Sequence, residues 1–376
     1  MAPTTVRGRL VLDDRVVVAE LTVEDGLIAA VDLDDGADDD SLPYIAPGFV
    51  DVHVHGWGGH DAMGGPAAHD GMARGLLRQG VTSFLPTAVT APLSTLASFA
   101  ETVREWRPTA PDDGAEPLGF NLEGPFLADS KRGAHDAAQL RTPADVAPSD
   151  LEPLLEGLRV VTIAPELPGA LELIRLLAAR GVVVSLGHSA ATERQARAGY
   201  EAGARSTTHL FNAMTGVDHR SPGLAVAALL EDDAWVELIG DGLHVDPALW
   251  PLIRRLKPPD RLLLVSDALP IAGTNASQGT IGGLKVEVRD GRVTLAGTST
   301  LAGCVVGLDT GVRNLVLSGI TLPDAVAAAT RAPLALLGVD DRGRLEVGQR
   351  ADLVELDDRN RVRRVMRSGT WVGSAG

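Results

Sequence analysis

The chain has 376 residues, 45% of them hydrophobic and 22% charged, which places it among folded globular proteins with length for one large domain plus a small one. Acidic residues number 50 against 34 basic ones, a net charge of −16 that excludes nucleic acid as a bulk partner but leaves room for a small anionic substrate held by local cations. No apolar run reaches the roughly 18 residues of a membrane helix, the Met1–Arg7 stretch lacks the apolar core of a signal peptide, and the single cysteine, Cys304, fits a reducing cytosol.

In chain order, the first block is strand-like. Arg9–Leu12, Arg15–Val18, Ala19–Val23 and Gly26–Val31 are β-rich, with turn residues at Asp13-Asp14 and Asp25-Gly26. The acidic run Asp34–Asp40 reads as a solvated loop. The last block resembles the first: Ala351–Leu356 and Val362–Arg367 alternate around Asp357–Asn360. Neither block makes a convincing core alone. Together they predict a small β-sandwich domain built from both termini, residues 1–45 plus 346–376.

Between them, residues 46–345 repeat strand then helix. The predicted strands are Phe49–Val52, Val81–Pro86, Leu118–Leu122, Val160–Ala164, Val182–Leu186, Ser206–His209, Val236–Gly240 and Leu262–Ser266. Helical periodicity separates them, as in Gly169–Arg180 and Thr192–Ala202. Eight such units predict an α/β fold, a closed (β/α)8 TIM barrel rather than an open sheet. A hairpin, Thr280–Leu295 with a turn at Asp290-Gly291, follows strand eight. Helices near Asp309–Leu317 and Pro323–Leu337 complete the barrel.

The polar residues fall at the strand ends. His53 and His55 are two apart at the end of strand one, so their side chains point the same way. Taken alone, the pair is either a metal motif or a surface turn that happens to hold two histidines. The other strand ends carry Glu123, His188, His209 with Asn212, Asp241 with His244, and Asp267. In a barrel these ends converge on one mouth. Four of these five histidines with two of the carboxylates at one mouth suit a transition metal, zinc or iron, rather than calcium.

His-x-His after Pro47-Gly48-Phe49-Val50-Asp51, with the later His, His and Asp, resembles the amidohydrolase superfamily. Within it, the chain is similar over its whole length to N-acetylglucosamine-6-phosphate deacetylases. The motifs that carry the resemblance are Asn121–Phe126, Lys131–His135, Leu186–Ser189, Thr208–Met214, Asp241–Asp246, Val265–Ala268 and Thr300–Gly303.

That resemblance implies metal-dependent hydrolysis of an acetamide on a small phosphorylated amino sugar. It implies one or two divalent metal ions per subunit: Glu123, His188 and His209 hold the principal one, and His53 and His55, with Glu123 bridging, a second. Asp267 is implied as general base and then general acid. Ala134, His135, Asp241, Leu301, Ala302 and Gly303 are implied at the sugar, and Asn212, Ala213 and Arg220 at the phosphate. His244 is implied to join the site across a homodimer interface.

Each role has a chemical reason. An amide is a poor electrophile, so metal-activated water is needed. The oxyanion needs a positive partner such as a metal or His135, and the amine nitrogen must leave protonated. A guanidinium clamps phosphate bidentately, although Arg220 also reads as a surface arginine paired with Asp218 or Glu231. The glycine-rich Gly56–Gly65 segment has no Gly-Lys-Ser/Thr and reads as a mobile rim. Cys304 reads as packing.

Rival readings fit less well. Dihydroorotase-type amidohydrolases place a carboxylated lysine at the end of strand four, and Lys131, Lys257 and Lys285 are all far from it. A ring deaminase leaves Glu123 and Arg220 unexplained. A non-catalytic barrel would be expected to have lost a ligand or Asp267, and none is missing.

Overall fold

The computed structural model describes residues 3–34 and 39–372. Most of the acidic run read as a solvated loop, residues 35–38, and Met1-Ala2 of the N-terminal stretch lie outside the described residues. Eight parallel strands follow one another in chain order: Phe49–Val54, Val81–Val89, Phe120–Glu123, Leu158–Ile163, Val183–Leu186, Ser206–Thr207, Trp235–Ile239 and Leu262–Val265. A two-residue strand, Glu116–Pro117, pairs beside the second. Side-chain and loop bonds join strand eight back to strand one: Ser266 N donates to Asp51 Oδ1 (3.3 Å) and Asp267 N to His53 O (2.9 Å). Strand one is buried at every residue, as a parallel strand covered on both faces must be.

The helices obey local rules. Glu193–Glu201 begins with a capping box, in which the Thr192 hydroxyl accepts from Gln195 N and the Gln195 side chain accepts from Thr192 N. Ala170–Ala179 packs Leu173, Ile174 and Leu177 on one buried face. The predicted helix Pro323–Leu337 is two helices, Leu322–Ala329 and Arg331–Leu337, broken at Thr330. Pro333 has no N–H for the Ala329 carbonyl and its ring would collide with it, so one continuous helix is disfavoured.

Strands from both termini form one seven-stranded sheet in the order 370–372, 362–367, 353–356, 44–47, 4–11, 16–24, 27–33. The two middle stretches expected near the N-terminus are a single strand, Val16–Glu24, and Thr370–Val372 is an additional strand. Leu10, Leu21, Ile28, Ile45, Leu353 and Met366 make this sheet's own core. Only when the termini come together is there enough apolar surface for it.

The predicted hairpin is a three-stranded meander, Gln278–Ile281, Leu284–Arg289 and Arg292–Leu295. Its turns, Gly282-Gly283 and Asp290-Gly291, have positive φ at both residues, which suits two-residue connections. Ile281, Val286 and Val293 pack on Val89, Leu269 and Ala302, so the meander is fastened to the barrel mouth.

Helix Leu308–Leu317 lies close against strands seven and eight through two glycines. A Cβ on Gly240 would sit 2.9 Å from Gly311 Cα and 2.8 Å from Leu264 Cδ1. Gly240→Ala should therefore push the helix off the strand and cost about 1–3 kcal/mol. Equilibrium denaturant unfolding would measure this, and an unchanged midpoint would show that the contact yields without strain.

Candidate active site

The strand ends bring six titratable side chains together. His53 and His55 come from strand one, Glu123 from strand three, and His188, His209 and Asp267 from the turns after strands five, six and eight. His188, His209 and Asp267 have φ of 46°, 27° and 50°. Non-glycine residues in this region cost about 1–3 kcal/mol each. Three such residues around one point are consistent with turns shaped for the site rather than for chain economy.

Glu123 is the hub. Its Oε1 lies 2.9 Å from His188 Nε2 and 2.8 Å from His209 Nε2, and these two nitrogens are 3.1 Å apart. Its Oε2 lies 3.2 Å from His55 Nε2 and 3.2 Å from His135 Nε2. His53 Nε2 stands 3.6 Å from Oε1 and 3.7 Å from Asp267 Oδ1, while His55 Nε2 is 3.2 Å from Asp267 Oδ1. All of these side chains are buried.

The outer nitrogens assign the tautomers. His188 Nδ1 is 2.8 Å from Lys131 O, His55 Nδ1 is 3.1 Å from Thr87 O, and His53 Nδ1 is 3.0 Å from Glu237 Oε2. Carbonyl and carboxylate oxygens only accept, so each Nδ1 donates, and each imidazole in its neutral form turns an Nε2 lone pair inward. In the absence of a metal, burial opposes charge on His53 and His55, but the adjoining carboxylates raise both toward the protonated form, His55 to about 9. Lone pairs facing a carboxylate at hydrogen-bond distance need a cation between them. His53 Nε2 has no hydrogen-bond partner at all, although it is fully buried. The donor set thus fits a divalent metal, with imidazole favouring zinc or iron.

His135 differs. The Thr90 backbone N–H points at its Nδ1 (3.3 Å), with the Thr90 hydroxyl also 2.8 Å away. An N–H can only donate, so Nδ1 accepts and Nε2 carries the hydrogen. His135 is thereby a donor into the site, suited to an oxyanion rather than to a metal.

Ionisation follows the same layout. Burial opposes charge on Glu123, but the imidazoles of His53, His135 and His188 outweigh it and hold the carboxyl well below its usual range. Burial likewise opposes ionisation of Asp267, yet His55 and His53 keep its carboxyl lowered. Burial, despite Glu123, brings His188 down to about 4, the neutral ligand form.

A cavity of about 530 Å³ opens above this cluster. His55, Glu123, His188, His209 and Asp267 form its floor, and the expected Ala134, His135, Asn212, Ala213, Leu301, Ala302 and Gly303 form its walls. His244, expected across a subunit interface, lines the cavity of its own chain.

Two expected substrate residues stand outside the lining. Asp241 turns away to hold His244 Nδ1 (2.8 Å) and lies 3.7 Å from the Cys304 thiol. Arg220 is on an exposed loop whose turn is capped by Asp218 Oδ1, accepting from Arg220 N and Ser221 N. Buried Cys304 fits the packing expectation, its thiol pKa pushed well up by burial. The Gly56–Gly65 segment is not the mobile rim expected. Gly56, Gly58 and Gly59 donate to Ala268, Ala272 and Pro270, which ties it to the loop after strand eight.

Sequence reasoning passed over the roles of Glu237, Thr87 and Thr90, which orient the imidazoles, and of Lys131, which lines the cavity and whose carbonyl meets His188 Nδ1. One of these carried a signal. Glu237 is a carboxylate in the middle of the apolar strand Trp235–Ile239.

The profile of the amidohydrolase family matches residues 44–372. The chain is 38% identical over 366 residues to the N-acetylgalactosamine-6-phosphate deacetylase of Escherichia coli O157:H7, covering 95% of this chain and 94% of that one. It is 39% identical over 355 residues to the human N-acetylglucosamine-6-phosphate deacetylase, covering 88% and 84%. Among solved structures, a variant of the Mycobacterium smegmatis N-acetyl-D-glucosamine-6-phosphate deacetylase in complex with N-acetyl-D-glucosamine-6-phosphate superposes with a TM-score of 0.91. It shares 33% identity and covers 100% of both chains. The Thermotoga maritima N-acetylglucosamine-6-phosphate deacetylase also gives 0.91, at 31% identity, covering 99% and 100%.

Converging lone pairs and carboxylates should make the fold depend on a cation. Chelation should lower the thermal midpoint, and zinc or ferrous ion should restore it. A metal at 100 times its Kd stabilises by about 2.7 kcal/mol per site. Equal midpoints with and without metal would contradict the fit.

Proposed function

The chain belongs to the amidohydrolase family, and from that premise we propose that it hydrolyses the acetamide of N-acetyl-D-glucosamine 6-phosphate to D-glucosamine 6-phosphate and acetate. Such an enzyme serves amino-sugar catabolism or cell-wall recycling. The observation that carries the reading is the Glu123-centred cluster with Asp267 beside it, beneath a cavity of about 530 Å³. The Escherichia coli relative named for the galactosamine substrate favours a second reading, in which the 4-epimer is accepted as well or instead.

A divalent cation held by Glu123, His188 and His209, with a second beside His53 and His55, would supply the Lewis acidity that activates water toward an amide. Asp267, kept ionised, accepts the water's proton as general base and returns it to the amine nitrogen. His135 Nε2–H donates to the developing oxyanion, held in that tautomer by Thr90. The Leu301–Gly303 wall borders the sugar, with Asn212 and Ala213 on the phosphate side.

We place Arg220 at the phosphate and read the enzyme as a homodimer with shared active sites. Arg220 stands outside its own cavity lining, and Val217, Leu243, Leu249, Leu252 and Leu256 are exposed in the segments after strands six and seven. We place it in the cytoplasm, on its single buried cysteine. No helix among the described residues is long and apolar enough to cross a membrane.

Acetate release tests the reaction, with N-acetylgalactosamine 6-phosphate and other N-acylated sugars run beside the glucosamine substrate. Asp267→Asn should lower kcat by about 10²–10⁴-fold with KM little changed, and an unaltered rate would overturn the mechanism. Arg220→Ala should raise KM for the phosphorylated substrate by about tenfold, the equivalent of about 1.4 kcal/mol, while sparing unphosphorylated N-acetylglucosamine. Equal damage to both would remove Arg220 from the phosphate.

A further inference from the structure

Glu237 sits in mid-strand among Val236, Leu238 and Ile239, 1% exposed, where an unpaired carboxylate would be strongly disfavoured. One oxygen, Oε2, accepts both of its bonds: from His53 Nδ1 at 3.0 Å and from His209 N at 3.1 Å. The Glu237 carbonyl also accepts from Leu210 N at 2.8 Å. The two histidines are treated differently. At His209 the contact is to the backbone and leaves the imidazole untouched, with its Nδ1 unpartnered. At His53 the contact is to the imidazole itself, on the nitrogen opposite the orphaned Nε2.

A carboxylate on the outer nitrogen of a metal-ligating imidazole fixes its tautomer and raises its basicity, and losing such a partner costs about 10–100-fold in metal affinity. His55 and His188 have only neutral carbonyls in that place, from Thr87 and Lys131. His53 is therefore the imidazole here with an anionic outer partner. We infer that Glu237 is a positioning residue that selectively supports cation binding on the His53/His55 side of the cluster. It does so by holding His53 as the Nδ1–H tautomer with its Nε2 lone pair facing Glu123 and Asp267. This rests on the metal-dependent reading above, but its test does not use acetate release.

The experiment is a titration of the full chain, stripped of metal by chelation, with zinc ion. Bound metal per chain is read by elemental analysis and affinity by calorimetry. The wild-type chain should take up two equivalents, and His55→Ala should lose one of them. Glu237→Gln, which keeps shape and removes charge, should weaken that same equivalent by about 10–100-fold and leave the other within about threefold. In the His55→Ala background, Glu237→Gln should change the remaining equivalent by no more than about threefold.

Equal weakening of both equivalents, no weakening, or a wild-type chain that binds a single ion would each overturn the inference. A second measurement needs no variant. Nitrogen-15 NMR of the zinc-loaded wild-type chain should show His53 protonated on Nδ1, with no hydrogen on Nε2. An Nε2–H tautomer would refute the proposal even if the variants failed to fold.

Discussion

The architecture turns on one buried carboxylate. Glu123 ends strand three at a point reached by imidazoles from strands one, five and six and from the loop that carries His135. A carboxylate sealed from water is tolerated only with cations or donors around it, and these imidazoles in their neutral form would present mainly lone pairs. The fold thus gathers an arrangement that is unfavourable without a positive ion. The left-handed turns at His188, His209 and Asp267 add to that cost. A barrel suits such a burden because eight strands share it, and because the paired strands beneath the mouth leave the turns little freedom to relax.

Much of this was legible in the sequence, for a physical reason. Parallel strands buried on both faces must be apolar almost throughout, so polar residues at the strand ends stand out. His53 and His55 were readable as a pair because period two in a strand is strict, and their Nε2 atoms do approach Glu123 and Asp267 together. The eight strand positions came from the same contrast, and the expected ranges differ from the observed ones mainly at the ends. Arg220 was the weakest residue reading. Its motif context says nothing about which cavity an exposed loop serves.

What escaped notice depends on contacts between distant segments. Glu237 lies 184 residues from His53, and only closure of the barrel puts them 3.0 Å apart. Thr87 in strand two and Thr90 just past its end look like ordinary β-formers until their backbone groups meet His55 and His135. The break at Thr330 needed attention to a proline three residues on, in a stretch whose apolar periodicity reads as continuous. The glycine-rich segment was misread because glycine permits both mobility and close approach. Here Gly56, Gly58 and Gly59 lie against the loop after strand eight, which carries Ala268, Pro270 and Ala272.

The same closure links the proposed base to one wall of the cavity. Asp267 O accepts from Cys304 N at 2.9 Å, and Ala268 and Cys304 form a parallel bridge. Next to Cys304 stands the cavity-lining Gly303, at φ +56°, where a Cβ would lie 2.8 Å from Asp267 O and 2.6 Å from Leu269 Cδ2. Only glycine lets the Leu301–Gly303 segment come this close. The meander packs on that segment through Val293, whose carbonyl accepts from Ala302 N. Asp267, pocket wall and covering meander are therefore one bonded unit. A ligand against Ala302 would be positioned relative to Asp267 through a few short backbone bonds, with no flexible side chain between. General base catalysis requires reach of about 2.6–3.2 Å to the proton it removes. A wall built onto the backbone of the base itself is a direct way for the fold to keep that distance.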